Sequence, residues 1–134
     1  MDFPRYGSAG FFAYEPADCG PSVQALVEQA LSPVFADALG RRIGIEGLGA
    51  HPALATLCGI PNRRHGTLHA DSRSKVASAL LYLNESWPHG SAGCLRFLAD
   101  GADIEAMLVP EIAPLSGTLV AFARADDSWH GHLP

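Results

Sequence analysis

Between Ser22 and Val34 the apolar residues Val23, Leu26, Val27, Ala30, Leu31 and Val34 recur at three- and four-residue intervals, which lays them along one stripe of a helix. The pattern predicts a helix over 22–31, capped by Asp18 or Ser22. Pro33 either breaks it or begins a second short helix, and Gly40 is the expected stop. A leucine, valine and alanine stripe at this spacing marks a buttress helix with its apolar side on a core.

After Gly49 the period changes. Short apolar or alternating runs predict strands over 54–58, 66–70, 76–83, 93–98, 104–109 and 118–123, with a last strand beginning at Ser128. Turn signals separate them at Ile60-Pro61-Asn62, Asp71-Ser72, Pro88-His89-Gly90, Asp100-Gly101, 110–117 and Asp126-Asp127. Many short strands behind one helical segment predict a mostly β chain, a sandwich or barrel of jelly-roll type with one or two N-terminal buttress helices. Residues 1–134 read as one domain, helical to about residue 50 and β from about residue 51.

Composition narrows the partners. With 134 residues, 48% of them hydrophobic, the chain can build a core without disulfides or a structural metal. A net charge of -5 argues against a general nucleic-acid binder, and the basic clusters Arg41-Arg42 and Arg63-Arg64-His65 read as solvated loops or strand ends rather than a phosphate track. No run approaches the roughly 18 apolar residues of a membrane span. The start of the chain, with Asp2, Pro4 and Arg5, does not read as a signal peptide. Cys19, Cys58 and Cys94 are odd in number and widely spaced, as expected of reduced thiols in a cytoplasmic protein.

Six histidines raise the question of a metal. His51 precedes a proline in a glycine-rich loop, and His89 sits in a Pro-His-Gly turn; both are expected at the surface. His65 lies between Arg64 and Gly66. His69-Ala70-Asp71 is different, because residues two apart on a strand share a face and can grip one ion from one short segment. Such a triplet is weak evidence alone. A third ligand from the Ser128-Trp129-His130-Gly131-His132 run would give two imidazoles and one carboxylate, leaving open positions that suit non-haem Fe(II). His130 and His132 lie on the same strand face, so spacing does not choose between them.

Five ordered pieces between His65 and Pro134 carry a family likeness. They are Gly66-Thr67-Leu68-His69-Ala70-Asp71, Leu80-Leu81-Tyr82-Leu83-Asn84-Glu85-Ser86-Trp87, Gly93-Cys94-Leu95-Arg96-Phe97, Gly117-Thr118-Leu119-Val120-Ala121-Phe122 and Asp127-Ser128-Trp129-His130. Together this half of the chain resembles the catalytic core of the Fe(II)- and 2-oxoglutarate-dependent oxygenases, nearest to the prolyl 4-hydroxylase-like branch; the first half matches only loosely. The resemblance implies a double-stranded β-helix, the cupin-like form of jelly roll. It implies Fe(II) held by His69, Asp71 and His130, with His130 preferred over His132 on the Ser-x-His pattern. It implies 2-oxoglutarate as cosubstrate, with Tyr82 contacting its carboxylate, Leu95 walling its pocket and His132 beside the metal. O2 would be the second cosubstrate, and the substrate either a prolyl residue of a protein or a small molecule.

One departure counts against full activity. The family partners the far carboxylate of 2-oxoglutarate with a basic residue on the strand after the distal histidine, and the sequence given stops at Pro134. A buried carboxylate without a partner costs roughly 3–5 kcal/mol. Arg124, Arg96, Arg73 and Lys75 are the available substitutes, none at the matching position. Two alternatives therefore stand beside the oxygenase: a non-catalytic metal-binding jelly roll, and a fragment of a longer enzyme. A zinc hydrolase would lack a general base outside the ligands. Cys94, Trp87 and Trp129 are expected to pack rather than react. The strands 76–83 and 118–123, if left with a free edge, predict a homodimer unless the segment Phe11 to Tyr14 folds back to cover it.

Overall fold

The computed structural model describes residues 11–59 and 68–134, which fall into two compact units within Met1–Ile60 and Pro61–Pro134. The turn at 60–62, the Arg63-Arg64-His65 cluster, the start of the 66–70 strand and the residues before Phe11 lie outside the described residues.

In the first unit, strand β1 (Phe11–Ala13) pairs antiparallel with β2 (Thr56–Cys58), with Phe12 opposite Leu57. The segment expected to cover the 76–83 edge is thus paired to β2. Helix α1 (Pro21–Ala30) starts on Gly20, without the side-chain cap expected from Asp18 or Ser22. Pro21 holds the first helical position, where its fixed φ and missing N–H cost nothing. Pro33 starts rather than stops: α2 (Pro33–Ile43) is capped by the Ser32 hydroxyl, which accepts the Phe35 amide at 3.2 Å. Restarting the helix there re-phases it, so Val27 is buried while Val34, expected on the same stripe, is 80% exposed. Gly40 is not the stop. It lies buried inside α2, where a Cβ would collide with the Ile45 carbonyl. The stop is Gly44 at φ +78, a left-handed position that favours glycine, and its amide and that of Ile45 both close on the Gly40 carbonyl.

In the second unit, β3 (Ala77–Leu81) pairs antiparallel with β5 (Leu119–Ala123), and β4 (Leu95–Leu98) with β6 (Trp129–His132). Consecutive strands therefore alternate between two sheets. Single-residue pairings widen the second sheet: His69 joins β6 on its far side, while Ile112 and Met107 join β4. Alternation along β3 and β5 turns Ser78, Leu80, Val120 and Phe122 to one face. On β4 it turns Leu95 and Phe97 one way and Arg96 and Leu98 the other. The Phe97 and Phe122 rings meet edge to face at 5.1 Å and join the inner sides of the two sheets. Leu98 is fully buried, with Cys94, Leu95 and Val120 nearly so. Among the described residues the strands make two-stranded sheets and no closed barrel.

The run at 104–109 forms no strand among the described residues. The Asp103 carboxylate accepts the Glu105 amide at 2.8 Å and coils the chain into a turn. The buried Arg96 guanidinium pins that turn through the Ile104 carbonyl at 3.1 Å and Glu105 at 2.8 Å, and reaches Glu111 at 2.9 Å. Trp87 donates to the Ala92 carbonyl at 2.8 Å and lies against Gly93, and Trp129 lies against Gly101, so both tryptophans pack.

Candidate metal centre

His69 and His130 occupy directly opposed antiparallel positions. Each donates its amide to the other's carbonyl at 3.0 Å. Opposed residues project side chains to the same face, and here the two imidazole rings lie 4.4 Å apart. Asp71 follows His69 by two residues. One donor atom from each of His69, Asp71 and His130 lies within 4.8 Å of the other two. Asp71 and His130 are buried and His69 is exposed, so the cluster opens on the His69 side. Donors held about 2.1 Å from one ion stand roughly 3–3.5 Å apart; side-chain adjustment of an ångström or so is all that such an ion requires. Two imidazoles and one carboxylate form a mixed nitrogen and oxygen set suited to Fe(II), Mn(II) or Zn(II).

The surroundings fix each ligand. The His130 ring lies edge-on to Phe122 at 4.9 Å and tilted to Phe97 at 6.2 Å. Burial holds its proton affinity below the ordinary value; the neighbouring His69 and Lys75 act in the same sense, while the Ser128 carbonyl and Asp71 oppose. Its Nδ1 stands 2.9 Å from the Ser128 carbonyl. A carbonyl only accepts, so the neutral ring carries its proton on Nδ1 and leaves Nε2 for an ion. Burial alone would raise the Asp71 carboxyl, but hydrogen bonds from Lys75 and Ser78 and the Lys75 charge bring it below its usual value. Lys75 Nζ lies 2.6 Å from Oδ1 and Ser78 Oγ 2.5 Å from Oδ2. The Arg124 Nε donates to the Asp71 main-chain carbonyl at 3.1 Å.

The structure brings together the three expected ligands, His69, Asp71 and His130, without His132; strand register places Tyr82 and Leu95. The Tyr82 amide donates to Thr118 at 3.0 Å, which continues the β3 phase and puts Tyr82 on the Ser78 side. Leu95, buried opposite His132, shares the Phe97 side of β4. His132 shares the His130 side of β6, with its Nδ1 2.9 Å from the Leu133 carbonyl. Of the possible substitute cations, Arg96 is taken by Glu105 and Glu111, Arg124 by Asp126 at 2.6 Å, and Arg73 faces Asp126 at 3.5 Å. Cys94 is buried, which raises its thiol pKa, as does Glu111 against the opposing Arg96; it acts as a small apolar residue. His51 and His89 are exposed, as expected.

Nothing in the local sequence gives Ser78, Phe97 or Phe122 a part in the site. Ser78 and Phe122 are opposed on β3 and β5, and Phe97 is opposed to His130 on β4 and β6. Their roles come from register, for which the local sequence carries no signal. Phe97 and Phe122, with Leu108, Val109 and Trp129, also line an open surface depression of about 350 Å³. Compared with known proteins, the chain matches no family model, no curated protein and no solved structure.

Proposed function

We propose that this chain binds a divalent transition metal through His69, Asp71 and His130, and that it works as an Fe(II)- and 2-oxoglutarate-dependent oxygenase on a double-stranded β-helix scaffold. The observation that carries the metal reading is the opposed His69–His130 pair with Asp71 two residues on, which places three donor atoms within 4.8 Å. The alternation of β3 to β6 between two sheets supports the scaffold, as a jelly roll interleaves its strands in this way. The positions of Tyr82 and Leu95 on the faces shared with Ser78 and Phe97 support a cosubstrate pocket beside the ligands.

Fe(II) with bound 2-oxoglutarate would supply oxidative decarboxylation coupled to hydroxylation of a substrate C–H bond, in a protein prolyl residue or a small molecule. The chain's own residues do the rest. His130 offers the Nε2 of a ring that burial keeps neutral, His69 offers a second ring nitrogen, and Asp71 supplies the single negative charge. Ser78 and Arg124 orient Asp71, one through its carboxylate and the other through its carbonyl. Phe97 and Phe122 keep water from the buried side of His130. Tyr82 would donate its hydroxyl to the cosubstrate carboxylate, as the family resemblance implies.

A second reading, a metal-binding protein without turnover, is favoured by the engagement of Arg96 and Arg124 with carboxylates, which leaves neither guanidinium for the far carboxylate of the cosubstrate. Incubating the chain with Fe(II), ascorbate and 2-oxoglutarate tests the choice. Succinate above the level of a His69→Ala control supports the oxygenase. Mn(II) binding by titration calorimetry with no succinate supports the second reading, and absence of both removes the metal site.

A further inference from the structure

The Asp71 carboxylate already holds a cation. Lys75 is the only lysine of the chain, and its ammonium sits 2.6 Å from Asp71 Oδ1. The Lys75 amide closes on the Ser72 carbonyl at 3.1 Å, so a tight turn folds the lysine back over the carboxylate. Oδ2 is taken by the Ser78 hydroxyl. Asp71 is buried, while Lys75 is half exposed. The arrangement neutralises a carboxylate that would otherwise be buried with a bare charge.

Resting on the metal reading above, we propose that Lys75 and the metal ion exclude one another at Asp71, so that metal binding is an exchange in which the lysine ammonium is expelled to solvent. A hydroxyl donor and a divalent ion can share one carboxylate, because the hydroxyl is neutral and polarises toward it. An ammonium and a divalent ion on the same carboxylate repel at close range through a poorly solvated medium. The ammonium is the one to move. It stands on a flexible four-carbon stem, it is half in water, and its hydration there costs little to complete. The buried carboxylate and the strand-borne imidazoles have no such freedom.

This exchange makes Lys75 a specificity-determining residue. Cations that bind through oxygen alone, such as Na⁺ or Mg²⁺, gain one carboxylate and must displace a resident charge-assisted hydrogen bond. A transition metal also gains two imidazole nitrogens, which offset that displacement. Asp71 is thereby kept for ions that recruit His69 and His130 as well.

The test is Mn(II) titration of the full chain and of Lys75→Met, followed by calorimetry and by the electron paramagnetic resonance of free Mn(II). Lys75→Met is expected to bind Mn(II) about fivefold tighter, the loss of one half-exposed charge-assisted competitor. Equal or weaker binding overturns the exchange while leaving the metal site standing. No Mn(II) binding by either protein overturns both. A second measurement uses the unaltered protein. Because Lys75 is the only lysine, acetylation by an N-hydroxysuccinimide ester, read by mass spectrometry of the Lys75 peptide, reports one side chain. Saturating Mn(II) is expected to raise its acetylation rate severalfold. An unchanged or slower rate overturns the proposal even if Lys75→Met fails to fold.

Discussion

Asp71→Asn separates the two roles that a buried carboxylate can have. The substitution keeps the shape and an oxygen that accepts from Ser78, and removes the charge. In the fold, Asp71 holds Lys75 at 2.6 Å, but that lysine is half exposed and recovers its hydration when released. A charge-assisted hydrogen bond is worth about 1.5–3 kcal/mol when well shielded; discounted for exposure, the loss in stability is about 1 kcal/mol. At the metal centre no such discount holds. Asp71 is 7% exposed and is the one anion of the three-ligand cluster. Removing one side of a buried charge pairing costs about 3–5 kcal/mol, or about a hundredfold to several thousandfold in affinity. The two effects are read together by urea denaturation and by Mn(II) titration of the same preparation. The expected result is a folded variant with a slightly lower urea midpoint and no measurable Mn(II) binding at tens of micromolar, an order-of-magnitude ceiling set by that affinity loss. Affinity within threefold of the unsubstituted chain would refute the ligand assignment. A stability loss above about 3 kcal/mol would instead make Asp71 chiefly a structural partner of Lys75.

Three further expectations follow from other parts of the fold. His130 has a folded pKa below its ordinary value of 6.5, so the unfolded chain binds the proton more readily; the stability of the metal-free protein should be fully present above pH 6.5 and fall as pH drops through the folded pKa, and His130→Gln should flatten this part of the profile in thermal melts. Gly101→Ala would place a Cβ 2.6 Å from the Trp129 ring and should cost about 1–3 kcal/mol by urea denaturation, whereas Gly20→Ala, where a Cβ meets nothing within 4 Å, should cost less than half of that. Among the described residues β3 and β5 pair only with each other as strands, and Val76, Leu81, Leu83 and Leu119 are exposed on and beside them; a concentration-dependent rise in mass by light scattering is expected, and a monomer at high micromolar concentration would rule out self-association through that edge.

The local pattern determined a good part of this protein. A period of three to four residues placed a helix within a residue of α1, and the β-type runs located β3 to β6, because both depend on neighbours in sequence. Two-residue spacing on a strand was enough to put His69 and Asp71 on one side. Other features are cross-strand facts. Whether His130 or His132 meets His69 is decided by a pairing between segments far apart in the chain, and a shift of one residue would turn both histidines away. Ser78, Phe122 and Phe97 enter the site through register with distant strands. Lys75 lies near Asp71 in sequence, but only the closed turn at Ser72 shows that it occupies the carboxylate. Two departures from the local pattern have different causes, one in the helix end itself and one in the tertiary structure. Gly40 is small because the Ile45 carbonyl crosses it inside a helix, and the 104–109 run stays out of a strand because the buried Arg96 and the Asp103 turn hold it elsewhere. Sequence periodicity fixes which way a side chain points from its own strand; which strand lies opposite is set by the burial of the whole sheet, which no short window contains.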